Sequence, residues 1–585
     1  MMEITAAVAG SRGGLYMAIK FSDMQYKRPD LQKLKEKLAS VTGAFSKAAS
    51  FEEAERLMLE FDRESGHFTS MCTLALIRHQ MNTEDKFYEA ETEYFDEVVP
   101  EAQESLQAWT LEFIKTPFRK EFEDKYGRLL FVNAEMGLKT FSPAIISELQ
   151  SENVLITEYV RLLASAQIPY EGEVYTISQL SPMKQQNDDR RRRAAWEAEG
   201  KFYESVGERL DSLYDELTAL RTAMAKKMGY VSYTQMGYYR MTRNCYDKED
   251  VERFRDAVVK YIVPLAESIF KKQARRMGFD YPMSYADAAL EFRSGNPKPR
   301  GTADDILKQA GKFYAELSAE TKEFIEFMYS GELLDVLSRK GKAGGGFCTE
   351  IADYAAPFIF ANFNGTQGDV EVMTHEAGHA FAAYIARDIV PGDLRTPSME
   401  SAEIHSMSME FFARPWAEGF FGDDTEKFLY SHLASALKFI PYGTMVDHFQ
   451  HLMYAKPELK PSDRHGVWRE LMTIYMPWIA LDDGTPFYSD ARAWQRQSHI
   501  YEVPFYYIDY CLAQAVALQF WALADIDRDG AWQAYMRLIR CAGKKTFSEL
   551  VEVAGLKSPF GDEGLKEVCE AAERRLDAFD QSKLI

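Results

Sequence analysis

Apolar residues recur at helical spacing through the N-terminal half of the chain, from about residue 29 to 290. The clearest stretches are residues 30–38, 51–61 and 85–113. Turn-forming residues interrupt the pattern at 142–143, 168–172, 295–301 and 340–346. The break at 168–172 is typical of a short strand pair. The pattern therefore predicts a mainly α fold with a small β component.

A cluster of glycines precedes the most strand-like run of the chain, residues 357–363. A strand beside a mobile loop could bind an extended peptide by taking it up as a further strand, so specificity would be broad. The alternative is that the glycines form a plain connector. The substrate contacts predicted on the first interpretation are Phe360, Ala361, Asn362, Gly345 and Gly346.

The strongest chemical signal is the run His375-Glu-Ala-Gly-His379, within a segment, 369–387, whose apolar positions predict a helix. Residues four apart on a helix lie on the same face, so both imidazoles can bind one metal ion. Glu376 lies one step round the helix, beside the ion and available as a base. A catalytic zinc has three protein ligands and one open position, so a third ligand is required from elsewhere.

A second helix is predicted to begin near Ser398, after Pro391, Gly392 and Pro397 interrupt the chain. Its candidate third ligands are Glu400, Glu403, His405 and Glu410. Glu403, Ser406 and Glu410 share one face, which favours Glu403 as the ligand and Glu400 as the alternative. Glu410 could hold the other nitrogen of a ligating histidine, or be a surface carboxylate. Asp447, His448 and His451 are a weaker metal candidate, interpreted as core residues.

Several segments together resemble the thimet oligopeptidase and oligoendopeptidase F family of zinc metallopeptidases, most closely its bacterial, Pz-peptidase-like branch. The likeness runs from about residue 20 to the C-terminus and is specific between 344 and 515. The segments that carry it are 358–366, Asp369-Val, 375–380 and 403–411.

The resemblance implies a two-lobed, helical, zincin-type fold with a deep substrate channel and a small β-sheet beside the active-site helix. It also implies that Glu403 is the third ligand, since Glu403, Ser406 and Glu410 match the family's spacing. The substrates it implies are oligopeptides.

A tyrosine-rich segment, 499–510, resembles the family's histidine followed by spaced tyrosines, which donate hydrogen bonds to the oxyanion. Tyr510 is the favoured donor, followed by His499, and Tyr507 is expected to contact substrate. Val503-Pro504 departs from the animal enzymes, which carry a tyrosine there, so the register between Tyr506 and Tyr507 stays open. Aromatic core packing is the alternative role, above all for Tyr506.

Composition narrows the remaining classes of function. The formal net charge is −21, and no basic face is evident, which argues against binding to nucleic acid or to an anionic membrane. Six scattered cysteines suggest neither a disulfide framework nor a thiolate metal site, and no apolar run is long enough for a membrane span. A cytoplasmic location is expected.

The chain is divided by these patterns into five regions. Residues 1–16 are interpreted as a leader or an additional start, and 17–200 as an N-terminal helical region. Residues 201–340 are expected to complete the channel, 341–545 to form the catalytic region, and 546–585 to form a C-terminal helical region.

The predicted function is zinc-dependent cleavage of internal bonds in short oligopeptides, with one Zn²⁺ per chain and Glu376 as general base. A zinc carboxypeptidase or dipeptidase of a related helical family is the alternative. A peptide-binding protein without activity is a further alternative, disfavoured because binding alone requires no base. The sequence leaves the oligomeric state open.

Overall fold

The computed structural model describes residues 18–584, and 24 α-helices dominate this part of the chain. The segment predicted as a leader, 1–16, lies outside the described residues. Helices α1–α6 are Leu31–Phe45, Phe51–Met81, Lys86–Phe113, Arg119–Tyr126, Leu129–Gly137 and Ile146–Ala164. Helices α7–α14 are Ile177–Leu180, Asp189–Lys227, Tyr233–Arg240, Lys248–Ala257, Val263–Met277, Tyr285–Ala288, Ala303–Leu317 and Ala319–Ser330. Helices α15–α24 are Gln367–Ala386, Met399–Phe412, Ala417–Phe421, Thr425–Ala455, Pro461–Tyr475, Ser498–Glu502, Tyr507–Ile526, Arg528–Ile539, Phe547–Ala554 and Asp562–Asp577.

Five short strands form two sheets in the described residues. The strands β1–β5 are Ile168–Tyr170, Glu173–Tyr175, Leu334–Leu337, Phe347–Ile351 and Ala356–Phe363. The hairpin β1–β2 is antiparallel and confirms the predicted strand pair. The second sheet has the order β3-β5-β4, in which β5 is parallel to β3 and antiparallel to β4.

Helix starts follow capping chemistry that the sequence supplies. Asp30, Ser50 and Asp85 each accept a hydrogen bond from a backbone N–H of the first turn, at the beginnings of α1, α2 and α3. These three helices enclose a separate aromatic core in which the rings of Phe61 and Trp109 stack 4.1 Å apart. The N-terminal helices therefore pack around a core of their own.

Helix α8 is the longest element in the described residues, with 39 residues and no proline. Position 200, predicted as a region boundary, lies inside it, and the division of the chain into regions stays a prediction. Within residues 18–584, no helix combines the length and the apolar character needed to cross a bilayer.

Candidate active site

The helix that carries the two motif histidines, α15, is fixed at its start by Asp369. The Asp369 carboxylate accepts hydrogen bonds from the backbone N–H groups of Asn364, at 2.9 Å, and Gly365, at 2.7 Å. The side chain is buried, and it satisfies donors in the turn that connects β5 to α15. Asp369 therefore connects the sheet to the predicted metal-binding helix.

Gly378 allows α15 and α16 to approach closely. A Cβ atom at this position would lie 2.6 Å from the Cα of Ser406 and 2.9 Å from the carbonyl oxygen of His405. Any larger residue would force the two helices apart, because backbone atoms cannot move aside as a flexible side chain can. The glycine between the motif histidines thus sets their distance from the glutamate on α16.

Three potential ligand atoms converge between these helices. The Nε2 atoms of His375 and His379 lie 3.3 and 3.4 Å from Oε2 of Glu403. All three ligand atoms lie within 4.8 Å of one another, and no other such group is found among the described residues. Two imidazoles and one carboxylate are a donor set of catalytic zinc sites, so the residues present fit that ion.

A chain of buried polar groups supports His375 from behind. Its Nδ1 lies 2.7 Å from Oε1 of Glu410, whose Oε2 lies 3.1 Å from Nε2 of His432. Burial raises the pKa of Glu410, but its hydrogen bonds to the two histidines outweigh burial and lower it. Glu410 is therefore ionised and fixes the ring orientation of His375. His432, on α18, belongs to this chain of buried polar groups, and the sequence pattern did not predict it.

Glu403 and Glu376 have opposite pKa shifts although both lie in the site. Burial raises the pKa of Glu403, but the imidazoles of His379 and His375 outweigh it and hold the pKa well below its usual range. Burial raises the pKa of Glu376 and is only partly offset by the same histidines. The arrangement separates an anionic candidate ligand from a more basic carboxylate.

The other candidate ligands lie elsewhere. Glu400 is buried, and its Oε1 accepts a hydrogen bond from Ser398 Oγ at 2.7 Å, outside the donor set. Burial lowers the pKa of His405 to about 3, and this residue is also outside the group. His448 and His451 contact the hydroxyls of Tyr475, at 3.1 Å, and Tyr238, at 3.0 Å.

The predicted support residue Ser406 and one unassigned tyrosine both contact Glu403. Ser406 Oγ lies 3.1 Å from Glu403 Oε2 and also donates to the Glu403 carbonyl oxygen at 3.0 Å. Tyr506 donates to Glu403 Oε1 at 2.7 Å. The sequence left Tyr506 between core packing and the site, and the structure places its hydroxyl on the candidate ligand.

The three predicted groups of the oxyanion side lie together. Tyr510 OH lies 3.5 Å from His499 Nε2, and the Tyr507 ring contacts both residues, with ring centres 5.0 Å from His499 and 5.5 Å from Tyr510. Burial lowers the pKa of His499 to about 4, so this imidazole is neutral at physiological pH. It can therefore act only as a neutral donor.

A hydrogen-bond relay fixes which nitrogen of His499 carries the proton. Tyr442 donates to Oε1 of Gln497 at 2.9 Å, which orients the amide. The Nε2 of Gln497 then donates to Nδ1 of His499 at 2.9 Å. The proton of His499 accordingly lies on Nε2 and is directed towards Tyr510. The sequence pattern predicts no role for Gln497 or Tyr442.

The segment between α20 and α21 is held by residues distant in sequence. Phe505 has a φ of +70°, a conformation that residues with a Cβ rarely adopt. Its N–H donates to Oε1 of Gln450 at 2.9 Å, and its carbonyl accepts from the Arg243 guanidinium. Arg243 also contacts Asp509 at 2.9 Å. These contacts set the position from which Tyr506 reaches Glu403.

The prediction that residues 357–363 take up a peptide as a further strand is wrong, because β5 is the central strand of its sheet. Phe360 pairs with Asp335 of β3 on one side and with Phe347 of β4 on the other. Phe360 and Ala361 are buried, so their side chains are also not available to a substrate.

The glycine loop is tied to this strand. The Asn362 side-chain amide donates to the carbonyl oxygens of Ala343, at 2.8 Å, and Gly345, at 2.9 Å. A Cβ on Gly346 would lie 3.3 Å from the Phe360 carbonyl oxygen. The edge strands of this sheet are β3 and β4, and the glycine loop leads directly into β4.

Two family models match the chain: the peptidase M3 N-terminal domain over residues 21–141 and peptidase family M3 over residues 308–569. The fold is also similar to solved structures. A protein described as an oligoendopeptidase F shares 43% identity and a TM-score of 0.93, over 97% of this chain and 100% of that one. The chain belongs to peptidase family M3.

Two further structures support this assignment. PZ peptidase A with an inhibitor is 43% identical, with a TM-score of 0.92 over 96% of this chain and 100% of its own. A protein described as an oligoendopeptidase F from Bacillus anthracis is 43% identical, with a TM-score of 0.89 over 97% and 100%. Among curated proteins, none matches this M3 peptidase.

Membership of the family confirms the predicted fold class, a mainly helical, two-lobed, zincin-type peptidase with a small sheet beside the active-site helix. The protein is a metalloendopeptidase.

Proposed function

We propose that this M3 peptidase is a zinc-dependent endopeptidase that cleaves internal bonds of short oligopeptides. The convergence of His375, His379 and Glu403 on one point is the observation that carries the proposal. One Zn²⁺ per chain would be held by these three residues. Glu410 and Ser406 would orient two of the ligands through the hydrogen bonds described above.

Zinc bound there supplies a Lewis acid, which polarises the scissile carbonyl and lowers the pKa of a water molecule towards neutrality. Glu376 is the proposed general base. It accepts a proton from the attacking water and delivers that proton to the leaving nitrogen. Burial, which raises its pKa, favours the first of these steps, because a more basic carboxylate accepts a proton more readily.

Tyr510 is the proposed donor to the oxyanion, and His499 is proposed to act through Tyr510. The His499 proton on Nε2 can be donated to Tyr510, which leaves the Tyr510 hydroxyl proton free for the developing negative charge. Burial is the main cause that raises the pKa of Tyr510, so the hydroxyl stays protonated during the reaction. Tyr507 remains a proposed substrate contact.

An extended peptide would pair with strand β4, Phe347–Ile351. This strand is an edge of its sheet, and its residues are only half-buried before Ile351. Burial and then the Glu376 carboxylate raise the pKa of the Cys348 thiol well above its usual value, which indicates that β4 lies beside the proposed base. Backbone pairing at this edge would give broad specificity, as first inferred for the neighbouring strand.

A mixed peptide pool tests the proposal most directly. Zinc-loaded enzyme should cut short peptides at internal bonds, including peptides blocked at both ends, and a chelator should abolish cleavage. Mass spectrometry of the products would report bond position, peptide length and metal dependence together. Release of single residues or dipeptides only, with blocked peptides intact, would favour a carboxypeptidase or dipeptidase. Binding without cleavage would favour the non-catalytic alternative.

A further inference from the structure

Arg496 carries a charge that the proposed mechanism does not use. It ends the short helical turn Ala493–Arg496, three residues before His499. Its Nη1 donates to the hydroxyl of Tyr488 at 3.1 Å. No carboxylate of residues 18–584 lies within the 4.0 Å that defines an ion pair for this guanidinium. Guanidinium groups stay protonated at physiological pH, so a full positive charge stands here without a direct counter-charge.

Glu199, the carboxylate that contributes to raising the pKa of Arg496, is already neutralised. Glu199 contacts the Tyr488 hydroxyl through Oε2, while its Oε1 accepts from Lys184 at 2.6 Å. Lys184 and Glu199 are buried and form one compensated pair. The Tyr488 hydroxyl therefore connects Arg496 to this pair without supplying a further negative charge.

The Arg496 side chain is exposed to solvent. The Tyr488 hydroxyl raises the pKa of this guanidinium well above its usual range, and burial only partly opposes the rise, so the group also lies among packed protein atoms. Burial raises the pKa of Tyr442 and Tyr507, and the Arg496 charge opposes the rise in both. The guanidinium is therefore within electrostatic range of the aromatic groups that hold and contact His499.

The segment that carries Arg496 is held rigidly by α8. A Cβ on Gly200 of this helix would lie 2.3 Å from the carbonyl oxygen of Pro486, and Phe487 N donates to Glu204 of α8 at 3.1 Å. Close backbone packing of this kind leaves little room for movement. The charge is thus presented at a fixed place relative to the catalytic groups.

We infer that Arg496 is a substrate-binding residue that takes a carboxylate of the bound peptide. A planar guanidinium binds a carboxylate through two parallel hydrogen bonds, and only Tyr488 occupies its donors among the described residues. The net charge of −21 would repel an anionic peptide end, so a local cation is needed to hold one. The carboxylate is the C-terminal one in a short peptide, or an Asp or Glu side chain in a longer one.

This inference rests on the proposed function, and one set of peptides tests it. Three fluorogenic peptides of one core sequence are compared: a C-terminal acid, the matching C-terminal amide, and an amide with Glu as its last residue. For zinc-loaded wild type, we expect kcat/KM for the acid to exceed that for the amide about tenfold, mainly through KM. The ratio of kcat/KM for the acid to kcat/KM for the amide should fall to about one in Arg496→Gln and be partly kept in Arg496→Lys.

Arg190→Gln is the matched control, because Arg190 is exposed and its loss changes the net charge equally. It should keep the wild-type ratio. The ratio is measured within one enzyme preparation, so a lower folded fraction of a variant does not alter it. Recovery of the rate by the Glu-containing amide would identify a side-chain carboxylate as the source.

Two results would overturn the inference: no preference for either carboxylate peptide in wild type, or an unchanged preference in Arg496→Gln. Failure of the proposed function has a different signature. In that case zinc-loaded wild type would cut none of the three peptides.

Discussion

The metal side and the oxyanion side of the site are built by different means. His375, His379 and Glu403 lie on two continuous helices, and the spacing of residues along each helix sets their positions. Tyr506 and Tyr510 follow a break between two helices, where Phe505 has a left-handed backbone held by Gln450 and Arg243. One side is specified locally, and the other depends on contacts with distant parts of the chain.

The difference predicts how each side responds to change. On the metal side, a substitution should act through the atom it removes, because the helical backbone stays in place. On the oxyanion side, a substitution far from the chemistry should also act, because Gln450 and Arg243 hold the turn at Phe505 that precedes α21. Four sets of variants test this contrast.

The largest expected effect is at Glu376. Glu376→Gln should lower kcat by at least about a thousandfold while zinc content stays near wild type, because the base is lost and all three ligands remain. Turnover and metal content are measured on the same zinc-loaded sample. Near-normal turnover would contradict the assignment of Glu376 as the base.

Next in size is the loss of a ligand. Glu403→Ala should lower zinc affinity and activity together, and excess zinc should restore only part of the rate. Glu400→Gln is the control, since Glu400 lies on the same helix and is equally buried but is outside the donor set. If zinc titration shows that Glu400→Gln loses zinc affinity and Glu403→Ala keeps it, Glu400 is the third ligand and Glu403 is not.

Phenylalanine substitutions of Tyr506 and Tyr510, which are four residues apart, should affect the metal side and the oxyanion side respectively. Tyr510→Phe should lower kcat between about a hundredfold and a thousandfold, with KM and zinc content little changed, as expected for an oxyanion donor. Tyr506→Phe should instead lower zinc affinity about tenfold, because its hydroxyl contacts Glu403. If Tyr506→Phe loses kcat at saturating zinc and Tyr510→Phe does not, the donor register is shifted.

The smallest effect is expected for Gln450→Leu, and this variant tests the contrast between the metal side and the oxyanion side most directly. Gln450→Leu removes the acceptor of the Phe505 N–H and should lower kcat about tenfold at unchanged zinc content, since the tyrosines are displaced slightly. Gln235→Leu, at an exposed position, is the control. Wild-type kcat in Gln450→Leu would show that the segment keeps its position without this contact.

The sequence predicts the locally specified metal side of the site, but only part of the oxyanion side. The spacing of residues on two helices favoured Glu403 over Glu400 as the third ligand, and the family resemblance implied the same residue. The contact of Tyr506 with Glu403 was missed because it depends on the backbone of Phe505, and phenylalanine gives no local signal for a left-handed conformation. His432 was missed because its partner, Glu410, lies on another helix.

The sheet was misread for a similar reason. The composition of 357–363 identified a strand, but its central place depends on parallel pairing with β3, which lies beyond β4 in the chain. Strand order of this kind is set by the packing of the whole fold, and local periodicity does not report it.

The uninterrupted length of α8 has a consequence for the products of cleavage. A single helix of 39 residues behaves as a rod of about 58 Å, from its rise of about 1.5 Å per residue. Near one end it holds the segment that leads to Arg496, and towards the other the Arg221 guanidinium donates to the carbonyl oxygen of Tyr501, beside His499. Because both attachments lie on one helix, the distance between Arg496 and the groups beside His499 would be fixed. Fragments released from the carboxylate end of different peptides would then have a narrow range of lengths.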